Sequence, residues 1–212
     1  MPEIAAMEFP PDMHAPVLIL PDLFPAELCA RLMSYWERNE KVEGTVSAAG
    51  AGHAAVQSET KRRQDVFLPD GDSLIPELAG IIAPRVGPAI LAAFQFRIDF
   101  MEGLRIGCYD AAERGFFRAH RDDTTAATAH RRFAMSVNLN TGAYEGGALR
   151  FPDYGPREYA PPPGSAVVFS CKLLHEAMPV TRGRRFGVFT FFCSEADEQR
   201  RLAAGASSTA AQ

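Results

Sequence analysis

The sequence is short of cysteine, of long apolar runs and of any excess of one charge, and each shortage narrows what it can be. Cys29, Cys108, Cys171 and Cys193 make no CxxC pair and lie inside apolar stretches. That is how buried thiols sit in a reducing compartment, so no disulfide framework and no chemical role is expected of them. Lys and Arg number 22 against 26 Asp and Glu, a net charge of −4 with no run of like charge, which leaves no electrostatic footprint for nucleic acid. The longest purely aliphatic stretch near the start, Val17 to Leu20, is too short for a membrane span or a signal-peptide core, and Glu3 and Glu8 stand where a basic leader would be. A cytoplasmic protein with no membrane partner is expected. Internal repeats are absent. What is present is a 47% hydrophobic chain of 212 residues, enough to bury one sizeable core.

Residues 1–94 read as a support region of helices and one short strand. After the strand 16–20, Pro25 can open a helix in which Leu28, Leu32 and Trp36 recur at helical spacing, giving an amphipathic helix over 25–39. Residues 43–60, rich in Gly, Ala and Ser, read as a mobile surface loop that could serve as a lid. Ser73 is a good N-cap for a second helix through Leu74, Leu78 and Ile82, which Pro84 and Pro88 are expected to break or kink. From residue 95 to 196 the pattern changes to short runs (95–101, 104–109, 133–139, 148–151, 166–171 and 186–192) separated by Gly and Pro turns. The expected fold is mainly β, a double-stranded β-helix or jelly roll with the N-terminal helices packed on one sheet and a ligand at the opposite mouth. Residues 197–212 are expected to form a disordered tail.

His120 and Asp122 stand two apart after an extendable run, Phe116 to Ala119, so in a strand their side chains converge on one side. By itself this pair is more often a surface histidine near a solvated aspartate. His175, just beyond the apolar strand 166–171, supplies a third ligand across a barrel. Two imidazoles and a carboxylate that leave open positions suit non-haem iron(II), although the triad alone does not exclude zinc. Arg185 bears on that choice. It opens the strand 186–192, and if it points inward so do Gly187, Phe189 and Phe191. A guanidinium at the bottom of an apolar barrel needs a carboxylate, and an incoming dicarboxylate would supply one through a bidentate fork. The plainer reading makes Arg185 one of a basic cluster with Arg182 and Arg184 on a turn.

The segment from Tyr109 to Phe192 resembles the catalytic core of the prolyl 4-hydroxylase-like, iron(II)- and 2-oxoglutarate-dependent dioxygenases. The resemblance rests on Phe116-Phe117-Arg118-Ala119-His120-Arg121-Asp122, on Asn138-Leu139-Asn140 followed by Gly146-Gly147-Ala148-Leu149-Arg150-Phe151-Pro152, on Pro163-Gly164, and on His175-Glu176 through Gly183-Arg184-Arg185-Phe186. At Arg185 collagen-type prolyl hydroxylases carry lysine and the oxygen-sensing branch arginine, which leaves the cosubstrate role intact and does not identify the substrate. The resemblance implies that His120, Asp122 and His175 are the metal ligands and catalytic centre. It implies Fe(II) and 2-oxoglutarate as cofactors with ascorbate as candidate reductant, and 2-oxoglutarate pairing with Arg185. Tyr109 would line the pocket and could hydrogen-bond the cosubstrate. Strand alternation puts Ser136 and Asn138 on one face, lining that pocket or facing solvent. Gly146 and Gly147 read as a turn or bulge.

The expected activity is hydroxylation of a C–H bond of a small-molecule, peptide or protein substrate, with a prolyl residue as one candidate target and succinate and CO2 released. A jelly-roll module that binds metal or ligand without turnover is the alternative, followed by a zinc hydrolase. The loops expected to choose the substrate, 43–65 and 110–115, carry no recognition code. Lys61-Arg62-Arg63 could meet an acidic substrate, but reads more simply as a solvated basic turn.

Overall fold

The computed structural model describes residues 13–46 and 55–209. Along the chain it lays down β1 (Val17–Leu20), α1 (Ala26–Arg38), β2 (Val42–Glu43), β3 (Thr45–Val46), β4 (Ala55–Val56), β5 (Lys61–Arg62), β6 (Gln64–Phe67) and α2 (Leu74–Phe94). There follow β7 (Phe100–Met101), β8 (Arg105–Asp110), β9 (Phe116–His120), β10 (Phe133–Asn138), β11 (Glu145–Gly146) and β12 (Leu149–Arg150). After these come β13 (Glu158–Tyr159), β14 (Ala166–Ser170), β15 (His175–Ala177), β16 (Val180–Arg182), β17 (Arg184–Cys193) and α3 (Glu195–Thr209).

The strands form a large sheet in the order β1-β14-β10-β17-β8-β6-β2, with β7 also on β17, and a smaller one in the order β13-β12-β15-β9-β5. Every registered pair is antiparallel, so side chains alternate between the two faces of each sheet. On the large sheet Met135, Val137, Val168, Phe186 and Val188 pack with Leu28, Leu32 and Trp36 of α1 and Leu78, Ile82 and Val86 of α2 in one core. A second core, Ala134, Leu149, Phe151, Val167, Phe169 and Phe191, fills the space between the sheets. This is the jelly roll with helices over one sheet, as expected. The support region is not separable from it, because β5 extends the small sheet and β6 the large one.

Three expectations need correction. Pro84 and Pro88 do not break α2, which runs unbroken from Leu74 to Phe94. They stand four apart on its exposed face, while Leu74, Leu78, Ile82, Val86 and Ile90 form the buried stripe. Carbonyls freed by the missing N–H groups can therefore face water, and packing along the other face holds the helix together. By length and composition α2 could cross a membrane, yet this stripe is spent on the sheet.

The tail expected to be disordered from 197 begins instead as α3. Its start is a reciprocal cap: the Asp197 carboxylate takes the Ser194 N–H at 3.2 Å and its hydroxyl at 2.6 Å, while Ser194 Oγ takes the Asp197 N–H at 3.3 Å. Arg132 and Arg200 close on the same buried carboxylate. The loop expected over 43–60 is partly ordered as a β3–β4 hairpin and as β2 on the edge of the large sheet, while the tip of the supposed lid, 47–54, lies outside the described residues.

Candidate metal centre

β9 and β15 pair so that His120 faces His175 directly, and the chain after β9 is pinned by the Asp122 N–H donating to the Cys171 carbonyl at 3.0 Å. Asp122 thereby lies between both rings, 3.4 Å from His120 Nε2 and 3.3 Å from His175 Nε2. The three ligand atoms fall within 4.8 Å of one another. Each imidazole has its other nitrogen against a backbone carbonyl: His120 Nδ1 at 2.7 Å from Arg118 O, and His175 Nδ1 at 3.0 Å from Leu173 O. An Nδ1–H donated there fixes the tautomer and leaves both Nε2 lone pairs aimed at one point. Phe117 stacks on His120 at 3.5 Å and Phe169 meets His175 edge-on at 4.6 Å, so the rings cannot swing away.

Electrostatics prepares this set for a cation. Burial alone would favour a protonated Asp122, but His175 and His120 outweigh it and hold the carboxyl well below the usual range. Burial also drives His175 down to about 4 against the pull of Asp122, leaving its ring neutral at pH 7. One carboxylate and two imidazoles that turn their Nε2 atoms to a common point fit a divalent first-row metal. Asp123, as expected, turns away from the triad, accepting from Lys172 at 3.0 Å. His130 meets Glu102 at 2.8 Å, well apart from this centre.

The triad opens into a cavity that Arg185, Tyr109 and Ser136 also line. Arg185 is only 2% exposed. Its Nη2 donates to Asn138 Oδ1 at 3.1 Å and Ser136 Oγ at 3.4 Å, and the guanidinium lies 5.3 Å from the centre of the Tyr109 ring. Its Nε and Nη1 are buried with no hydrogen-bond partner, and among the described residues no carboxylate pairs with it. Ser136 lines the cavity, whereas Asn138 holds the guanidinium from outside the lining. Gly147, at φ +65°, permits this placement, since a Cβ there would lie 3.2 Å from Arg185 Cδ and 2.8 Å from Val180 Cγ2.

The solvated basic turn expected at Lys61-Arg62-Arg63 is the main error of the sequence reading. Lys61 and Arg63 are 5% and 6% exposed, beside Asp65 at 2%. Arg63 donates to Asp65 through Nε at 2.6 Å and Nη2 at 2.8 Å, and to the Tyr109 hydroxyl through Nη1 at 3.2 Å. Lys61 Nζ donates to Thr45 O at 3.1 Å and lies 3.8 Å from Asp65. Opposite Asp65 in the register stands Gly107, where a Cβ would come within 2.6 Å of Asp65 Oδ1, so the ion pair needs glycine there. The missed signal was period two: Lys61, Arg63 and Asp65 share one face of an extended segment.

Residues 104–193 match the family described as the 2OG-Fe(II) oxygenase superfamily. The chain is 27% identical over 198 residues to a PKHD-type hydroxylase of Pseudomonas putida, covering 88% of this chain and 83% of that one. Its structure is similar to a Pseudomonas putida prolyl-4-hydroxylase, with TM-score 0.63 and 21% identity over 84% of this chain and 92% of that one. It is similar also to a Trichoplax adhaerens prolyl hydroxylase in complex with a peptide fragment of the hypoxia inducible factor oxygen degradation domain, with TM-score 0.66 and 12% identity over 88% and 86% of the two chains.

Proposed function

Because this chain belongs to the 2OG-Fe(II) oxygenase superfamily and is a dioxygenase that uses Fe(II) and 2-oxoglutarate, we propose that it hydroxylates a C–H bond of a small-molecule or peptide substrate, releasing succinate and CO2. When bound, the iron and 2-oxoglutarate supply the oxygen-activating chemistry. His120, Asp122 and His175 would hold the metal. Arg185, held by Asn138 and Ser136, would pair with the far carboxylate of 2-oxoglutarate. Phe117, Phe169 and Phe189 give the cavity an apolar lining that limits water.

One observation carries this reading beyond metal binding. The buried Arg185 guanidinium keeps two polar nitrogens unpartnered in the cavity that contains the triad. An unpaired buried charge costs several kcal/mol, which a dicarboxylate would offset. A zinc hydrolase has no use for that guanidinium. The name of the Pseudomonas putida relative supports hydroxylation. The prolyl hydroxylase structures support the fold, so a prolyl residue stands beside small molecules as a candidate target. Four free, buried cysteines support work in the cytoplasm.

The test is an anaerobic visible-absorption titration of metal-free protein with ferrous iron and then 2-oxoglutarate. A charge-transfer band that saturates with 2-oxoglutarate and is absent from His175→Ala is the expected result. Iron bound without any band would favour a binding module, and a preference for zinc the hydrolase.

A further inference from the structure

The triad cavity continues outward into a second, and Arg105, Phe117, His120, Asp122 and Phe191 border both. The junction is rich in cations. Arg63 has Asp65, Lys61 has Asp65 and the Thr45 carbonyl, Arg121 has Asp153 at 3.0 Å, and Arg131 has both oxygens of Glu102 at 2.8 Å. Arg105 differs. Among the described residues no hydrogen bond or ion pair reaches its guanidinium, and its Nε is shut off from solvent without a partner. Its place on β8 explains the direction it takes, because Arg105, Gly107 and Tyr109 alternate onto the face that looks between the sheets. There the guanidinium rests near the rings of Phe191 at 5.1 Å and Phe67 at 5.9 Å.

Asp65 is turned to other cations, with Arg63 on both its oxygens and Lys61 3.8 Å from Oδ2, and makes no ion pair with Arg105. Burial and the neighbouring Arg63 push the Arg105 pKa down to about 10. Even with Lys61 neutral, Arg63 takes up the charge of Asp65, and Asp122, the other carboxylate whose charge reaches Arg105, belongs to the metal-ligand set. Arg185 has its counter-ion in 2-oxoglutarate under the function proposed above, on which this inference rests. Arg105 is left without one.

We propose that Arg105 binds an oxyanion of the primary substrate, a carboxylate or a sulfate ester, and so positions the target carbon at the metal centre. The substrate is then an acidic small molecule whose apolar part lies along Phe117 and Phe191. Guanidinium geometry suits such a group, because its N–H fork matches two oxygens of one planar or tetrahedral anion.

The experiment is calorimetric titration, under anaerobic conditions, of protein loaded with Fe(II) and saturating 2-oxoglutarate. The probes are hexanoate against hexanamide and hexyl sulfate against hexanol, on wild type, Arg105→Gln and Arg105→Lys, with Arg105→Met replacing the glutamine variant should that misfold. The anion of at least one pair is expected to bind about tenfold or more tighter than its neutral partner, as a charge-assisted pair would give. Which pair shows it separates carboxylate from sulfate. The preference should vanish in Arg105→Gln and persist in Arg105→Lys, while the 2-oxoglutarate titrations of all three proteins overlay. The inference is overturned by equal binding or no binding within both pairs, by a preference that survives Arg105→Gln, or by weakened 2-oxoglutarate binding in that variant, which would place Arg105 on the cosubstrate. Wild type that binds iron but not 2-oxoglutarate overturns the oxygenase reading itself, a result distinct from lost anion preference.

Discussion

Replacing Arg185 with methionine separates a functional cation from a structural one. The side chain is buried with one nitrogen bonded, to Asn138 and Ser136, and two unpartnered. Without cosubstrate, Arg185→Met removes a buried charge that costs several kcal/mol, roughly 3 or more, and deprives Asn138 and Ser136 of a donor at a cost of about 1–3 kcal/mol. The net effect on the metal-free, cosubstrate-free protein should lie between neutral and about 2 kcal/mol stabilising. At about 2–4 °C per kcal/mol for a domain of this size, Tm should hold or rise by several degrees. Binding should move the other way. Losing one partner of a desolvated charge pair costs about 2–5 kcal/mol, so 2-oxoglutarate affinity should fall by roughly 30- to 4000-fold. Thermal unfolding with and without 2-oxoglutarate reads both effects. At a hundredfold excess over Kd, wild type carrying metal should gain about 2.7 kcal/mol and the variant at most about 0.9 kcal/mol at that same concentration. A variant that melts more than about 5 °C lower without ligand, or that keeps its affinity within tenfold, would refute the assignment and make Arg185 a structural residue.

Two further outcomes test the network beneath the cavity. Burial, reinforced by Arg63, lowers the Lys61 pKa to about 6. Between that value and about 10.5 the unfolded chain holds a proton that the folded chain has released, so Lys61 makes stability rise with pH across this window. Urea midpoints from pH 6.5 to 8, below the range where the buried thiols of Cys108, Cys171 and Cys193 would ionise on unfolding, should climb in wild type and climb less in Lys61→Met; an unchanged slope would show that Lys61 is not the source. Gly107→Ala should destabilise by about 1–3 kcal/mol, because its Cβ would sit 2.6 Å from Asp65 Oδ1 and 2.8 Å from Arg63 Cδ. Denaturant unfolding at one pH measures this, and a loss under about 0.5 kcal/mol would mean that the ion pair shifts freely.

Much of the site was legible because its chemistry is local. The spacing of two brings Asp122 beside His120 although the strand ends at His120, and strand alternation turns Arg185 inward with Phe189 and Phe191. Tyr109 and Ser136 lie on strands and line the cavity, Ser136 on a face the sequence left open between pocket and solvent. Asn138 does not line it, since an amide standing behind the guanidinium has the same sequence signature as one in front. Pro84 and Pro88 misled because their effect depends on which helix face they occupy. The Ser194–Asp197 cap was present in the sequence as Ser-x-x-Asp but hidden by the polar tail that follows.

By itself the sequence determined the periodicities and the residue types: two helices, a run of short strands, two histidines and an aspartate of the types that ligate metals, and an arginine at the head of a strand. Those properties depend on neighbours two to four residues away, which a reader of the chain can see. Only the tertiary structure decided which charges are paired. β5 and β6 lie far along the chain from β8, yet sheet formation buries Lys61, Arg63 and Asp65 against Tyr109 and Gly107 and leaves Arg105 Nε, among the described residues, with no hydrogen-bond partner. A charge is costly or harmless according to its desolvation and its distance from its counter-charge, and long-range strand pairing fixes both.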